Sequence, residues 1–115
     1  MTVIACDGVR LGVEQAGSGA PLVLIHGSWT DRSTWEPVFV ALAKQFTTVR
    51  YDRRGYGESE RPACSLTEHV TDLLKLLRTL GHRRVTLVGS SIGALIAFRA
   101  TLEDPQLIRR VIAHE

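Results

Sequence analysis

Asparagine is absent from the 115 residues. Lysine occurs only at Lys44 and Lys75, and cysteine only at Cys6 and Cys64. Without Asn there is no N-glycosylation acceptor. The two cysteines lie far apart and match no metal or redox spacing. Free thiols in a cytoplasmic protein are the expectation. The longest apolar stretch, Ile92–Phe98, is interrupted by Gly93, far short of the ~20 residues that a membrane span needs. The N-terminus has neither a basic region nor a long apolar run, so no secretory signal is expected. Basic residues cluster only as the pairs Arg53-Arg54, Arg83-Arg84 and Arg109-Arg110, and the net charge is +2. A nucleic-acid surface needs a sustained stripe of phosphate-neutralising charge, and none is present.

What is present is an ordinary globular mixture, 44% hydrophobic and 23% charged, with length for one domain. Residues 2–5 and 9–16 read as strands around an Asp7-Gly8 turn. Leu22–Ile25 is a continuous apolar run, as in a strand buried on both faces. Ser33-Thr-Trp-Glu36 has capping-box spacing before a stripe of Trp35, Val38, Phe39, Leu42 and Ala43. Residues 46–51 form another strand pattern, followed by a polar loop, 52–64. Ser65-Leu-Thr-Glu68 is a second capping box. It opens a helix with Leu66, Val70, Leu73, Leu74, Leu77 and Leu80 on one face and Gly81 as its C-terminal cap. Val85–Val88, Ile92–Leu102 and Arg110–His114 read as strand, helix and strand. Strands alternating with helices predict a mostly parallel sheet with helices on both faces.

The chemistry concentrates in three segments. Gly89-Ser90-Ser91-Ile92-Gly93 is G-x-S-x-G between a predicted strand and a predicted helix. A serine projecting from such a sharp turn needs neighbours without Cβ two positions before and after, which Gly89 and Gly93 supply. Ser90 lacks this symmetry, so Ser91 is the candidate nucleophile. His26-Gly27-Ser28-Trp29 follows the Leu22–Ile25 strand. Acyl transfer builds negative charge on a carbonyl oxygen, and two preorganised N–H donors stabilise it. In such a strand–turn–helix architecture one donor follows the nucleophile, here Ile92. The other comes from the loop, at Ser28 or Trp29. His26 is read as orienting this loop, and Trp29 as lining an acyl pocket or simply packing. Tyr51-Asp-Arg-Arg-Gly-Tyr-Gly-Glu-Ser59 lacks the glycine and lysine spacing of a phosphate loop. It reads as a structural turn with Asp52 and Ser59 bonded to backbone.

These three blocks, in this order, resemble the α/β-hydrolase superfamily. The likeness covers essentially the whole chain. It implies an α/β fold whose mostly parallel sheet carries helices on both faces and is incomplete at the C-terminal end, with strands 1–6 present in residues 1–115. It implies a serine hydrolase using Ser91 on an ester, thioester or similar small-molecule acyl substrate, with no metal or organic cofactor. Perhydrolase or haloperoxidase-like activity would use the same residues. Ser91 argues against the relatives that carry Asp at this position, the dehalogenases and epoxide hydrolases.

The triad is not complete within the sequence. Glu103 and Asp104 fall at the wrong end of a helix, since sites in open α/β sheets lie at the carboxyl ends of the strands. Glu115, at the carboxyl end of the last predicted strand, is the candidate acid. His69, on a helix flank, and His82, at the amino-terminal side of a strand, are read as unable to reach Ser91. His114 is read as structural. The family's base histidine sits on a late loop that the sequence does not contain. The chain is therefore expected to be the N-terminal part of a larger domain and inactive alone. The alternative is a non-catalytic homologue that completes its sheet with a partner or associates through an open edge strand.

Overall fold

The computed structural model describes residues 2–114. Strand β1, Thr2–Cys6, and β2, Val9–Ala16, form an antiparallel hairpin. Its turn places Asp7 at φ +49° and Gly8 at φ +93°. Then come β3 (Pro21–Ile25), a single 3-10 turn (Arg32–Trp35), α1 (Glu36–Leu42) and β4 (Thr47–Tyr51). They are followed by α2 (Leu66–Leu80), β5 (Val85–Ser90), α3 (Ile92–Glu103) and β6 (Ile108–His114). The six strands form one sheet in the order β1-β2-β4-β3-β5-β6. β2 pairs antiparallel with β4, while β4, β3, β5 and β6 run parallel.

β3 is covered on both faces. Val23 and Ile25 pack with Leu87, Leu73, Leu77, Ile96, Ala97 and Ala100, beneath α2 and α3. Leu22 and Leu24 pack with Phe39, beneath α1. The alternation follows from the two-residue period of a strand, and it explains why residues 22–25 show no polar position. Parallel neighbours put the carboxyl ends of β3 and β5 at the same edge, so the His26 loop and the Ser91 turn emerge side by side.

Helix α2 starts as read. The Ser65 hydroxyl accepts from the Glu68 N–H, and the Glu68 carboxylate accepts from the Ser65 N–H. It stops at Gly81, in the left-handed conformation. The Ser33–Glu36 capping box does not form. Asp31 caps instead, accepting from the Ser33 N–H at 2.8 Å, and the chain makes a 3-10 turn first. The reason is Pro37: lacking an N–H, it fits the first helical turn and sets the start of α1 there. Of the predicted stripe, Phe39 is buried, whereas Val38 faces outward.

α2 buries more than its leucine face. His69 and Asp72 are also enclosed. α3, in contrast, leaves Leu95, Phe98 and Leu102 exposed, the last at 81%. β6 is an edge strand with Ile112 about half exposed. Among the described residues no helix is long and apolar enough to cross a membrane.

The capping box makes Ser65→Ala a clean test of α2. It is expected to lower stability by about 1 kcal/mol, measured as the difference in unfolding free energy by chemical denaturation. Leu73→Ala, in the fully enclosed core, is expected to cost about 2–5 kcal/mol in the same assay.

Candidate active site

Ser90 is the last residue of β5 and pairs in register with His114. Ser91 leaves the strand at φ +56°, ψ −123°, a conformation rare for a residue with a Cβ. It stands at the N-cap of α3, where a serine ordinarily bonds its hydroxyl to the first turn. Here no such bond forms. The residue is exposed at the carboxyl end of β5, its hydroxyl free of the structural role that would otherwise account for it. A backbone bond holds the turn from outside: the Ser91 N–H donates to the His114 carbonyl at 2.8 Å.

The flanking glycines are needed for close approach, not for special dihedrals. A Cβ on Gly89 would overlap the backbone of Gly93. A Cβ on Gly93 would overlap the Ile25 carbonyl and stand 3.1 Å from that of His26. The start of α3 thus sits against the end of β3. Gly27 completes the contact from the other side: a Cβ there would be 3.2 Å from the Ser91 Cβ. Ile92 opens α3, so its N–H has no partner within the helix. Ser28 is exposed beside Gly27. Trp29 adopts φ +65° with its side chain 97% exposed. It does not pack.

His26 is fully buried and has both ring nitrogens engaged. Its Nε2 accepts from the Arg53 N–H at 2.9 Å. The proton therefore sits on Nδ1, which donates to the Gly27 carbonyl at 2.7 Å. Burial, with some help from the nearby Arg53 charge, pushes the His26 pKa down to about 4. A neutral imidazole with no spare lone pair orients the loop and cannot serve Ser91 as base. Asp52 and Ser59 bond to backbone as expected. The Asp52 carboxylate accepts from the N–H groups of Arg32 and Glu58, and the Ser59 hydroxyl accepts from that of Gly12.

Sequence reasoning missed Arg53. Its guanidinium is buried and donates to the carbonyls of His26 and Gly27, both at 3.1 Å, and to His69 Nε2 at 2.9 Å. The basic pair Arg53-Arg54 was the visible signal, but nothing in it distinguishes a buried cation from an exposed one. His69, on the flank of α2, is buried in this cluster. His82 bonds Gln15 at 2.8 Å. Glu115 lies outside the described residues.

One group of metal-ligating atoms exists among the described residues: Cys64, His69 and Asp72, within 4.8 Å of one another. It does not suit a cation as it stands. Arg53 donates to His69 Nε2, so Nδ1 carries a proton toward Cys64 Sγ, 3.5 Å away. Asp72 holds Arg54 with both oxygens, at 2.9 and 2.7 Å. Burial pushes the Cys64 thiol up to about 11. Two guanidinium groups already supply the positive charge.

Two outcomes are expected. Gly93→Ala should lower stability by about 3 kcal/mol, the upper range for overpacking a tight contact, as read by chemical denaturation. The second concerns pH. Burial holds His26 and His69 at about 4, below the ordinary 6.5. The unfolded chain then binds more protons between these values. Their contribution to stability is complete above pH 6.5 and is lost as pH falls toward 4. Denaturation midpoints should drop between pH 7 and pH 5, and less steeply in a folded His69→Leu variant. Equal midpoints would overturn this.

Comparison with known proteins matches this geometry to a family. The sequence model described as alpha/beta hydrolase fold matches residues 20–115. The 2-(acetamidomethylene)succinate hydrolase of Mesorhizobium japonicum is 34% identical over 107 residues, covering 91% of this chain and 38% of that protein. The soluble epoxide hydrolase of Corynebacterium sp. is 37% identical over 110 residues, covering 91% of this chain and 37% of that protein. The solved structure of Est816, described as an N-acyl homoserine lactone degrading enzyme, superposes with a TM-score of 0.92 at 30% identity, over 97% of this chain and 44% of that one. The chain thus spans about two fifths of the length of these relatives. With the family model matching residues 20–115 and the mostly parallel sheet superposing on solved relatives, the chain belongs to the α/β-hydrolase fold family.

Proposed function

We propose that the chain carries the nucleophile and oxyanion side of a serine hydrolase active site for a small acyl substrate, an ester, thioester or similar. The observation that carries this is Ser91, an exposed residue with an uncapped hydroxyl on a strained turn between β5 and α3. Ser91 would attack the substrate carbonyl. The N–H groups of Ile92 and Ser28 would hold the oxyanion, with the N-terminal dipole of α3 adding to them. Glu115 is the proposed triad acid. Trp29 is the proposed pocket residue. The base would be a histidine from beyond residues 1–115. His26 and His69 have their ring nitrogens engaged, and His114 meets Ser91 through its carbonyl.

The relatives named as epoxide hydrolases do not carry their chemistry across by name. Ser91 stands where a carboxylate nucleophile would be needed to open an epoxide through an alkyl ester, and an alkoxide nucleophile suits a carbonyl carbon. Perhydrolase or haloperoxidase-like turnover uses the same serine and needs no metal or organic cofactor.

A second reading is non-catalytic. It is favoured by the apolar stripe Leu95, Phe98 and Leu102 and by the edge strand β6, which a partner or a second copy would cover.

A fluorophosphonate probe separates the two. The catalytic reading expects a covalent adduct on Ser91, slow to form without the base histidine, located by peptide mass spectrometry after prolonged exposure and absent in Ser91→Ala. No adduct, with elution as an oligomer, supports the second reading. For the 115-residue chain, aryl-ester turnover is expected to be negligible, since an oxyanion hole without a general base leaves only a small residual rate. Turnover that vanishes in Ser91→Ala would overturn this last expectation.

A further inference from the structure

Arg53 is a full positive charge with almost no exposure, 1%. Its guanidinium hydrogen bonds among the described residues all go to neutral acceptors: the His26 and Gly27 carbonyls and His69 Nε2. Its face covers the Tyr56 ring, 4.6 Å from the centroid. Burying a charge without a bonded carboxylate is costly, and a buried polar residue is poor evidence for stability. An apolar side chain would fill the space at less cost. What Arg53 provides is direction. One planar fork ties two successive carbonyls of the His26-Gly27 turn to α2, while the Arg53 N–H holds the His26 ring.

The Gly27 carbonyl receives two donors, Arg53 Nη2 at 3.1 Å and His26 Nδ1 at 2.7 Å. The Gly27–Ser28 peptide is planar, so its N–H points opposite to its C=O. Fixing the carbonyl toward the guanidinium turns the Ser28 N–H away from it. Two donors on one carbonyl also polarise the peptide and strengthen that N–H as a donor. Gly27 lies against Ser91, so this peptide borders the nucleophile. His69, on α2, anchors the far side of the fork. Its Nδ1–H faces Cys64 Sγ.

We propose that Arg53, buttressed by His69, is a positioning residue that sets and polarises the Ser28 N–H as an oxyanion donor. This rests on the reading of Ser91 as an acyl nucleophile.

The test is labelling of the full 115-residue chain by a fluorophosphonate, resolved into the maximal rate kinact and the probe affinity KI. It is paired with the Ser28 amide proton shift by NMR. Arg53→Met is expected to lower kinact about 10- to 100-fold with KI nearly unchanged, somewhat less than removing an oxyanion donor outright. The Ser28 amide proton should move upfield. Arg53→Lys, which keeps the charge and loses the fork, should recover part of kinact. Arg54→Met removes the neighbouring pair with Asp72 and touches neither carbonyl. It should reduce stability and leave kinact within about twofold. Wild-type labelling with an equal kinact in folded Arg53→Met overturns the proposal. If the wild type takes no label even on prolonged exposure, the nucleophile reading fails by itself. An unmoved Ser28 shift in Arg53→Met then overturns the positioning role too, and a moved one supports the geometric half. Should Arg53→Met not fold, Arg53→Lys and His69→Leu decide: unchanged kinact and Ser28 shift in both overturn it.

Discussion

The structure depends on one close approach. The first turn of α3 lies against the last carbonyls of β3, and only glycine at 93 permits it. Gly89 is required by the same contact, since its missing Cβ leaves room for the Gly93 backbone. With these two positions bare, α3 departs steeply and Ser91 is forced to φ +56°. Strain of this kind persists only where surrounding packing over-determines it. Ile96, Ala97 and Ala100 beneath α3, and the bond from Ser91 to the His114 carbonyl, provide that packing.

Around this contact the loops are tied by buried polar groups. Asp52 is fully enclosed and accepts from two backbone N–H groups, while Ser59 links the same loop to β2. Arg32 pairs with both Glu14 and Asp52, joining the 3-10 turn to the sheet. Arg54 pairs with Asp72 on α2. Each of these groups would be costly alone and is satisfied by a defined partner. The net result is a rigid rim at the carboxyl ends of β3, β4 and β5. The opposite end of the sheet holds a cleft of about 400 Å³ lined by Arg78, His82, Arg83 and Asp104, far from Ser91 in the topology. Size of cleft is therefore no guide to the chemistry here; the strained, uncapped serine is.

The same parallel sheet accounts for where apolar surface remains exposed. β3 is covered on both faces and β5 fully on one, whereas β6 ends the sheet and α3 turns Leu95, Phe98 and Leu102 outward. Relatives more than twice as long as this chain share its fold, and among the described residues Leu95, Phe98 and Leu102 stay exposed. A surface of this kind marks an interface or further structure.

Local pattern was enough for much of this. The strands, the Ser65 cap, the Gly81 stop and the G-x-S-x-G turn each depend on a few neighbouring residues, and periodicity or the absence of a Cβ reports them directly. The likeness in Ser91, Gly89, Gly93 and the His26 loop was legible for the same reason. The Asp31 cap was not, because Pro37 and the carboxylate of Asp31 compete with an equally plausible Ser33 box. Arg53, His69 and the His114 carbonyl were invisible because their meaning lies in contacts across 16 to 27 residues of chain in the first two cases and between strand ends in the third. Sequence thus determined the sheet class and which serine leaves it. Only tertiary structure decided which charges are buried, which imidazoles are already engaged, and which groups hold the His26–Gly27 turn. Burial and hydrogen-bond partnership are properties of elements brought together in space, and no local spacing records them.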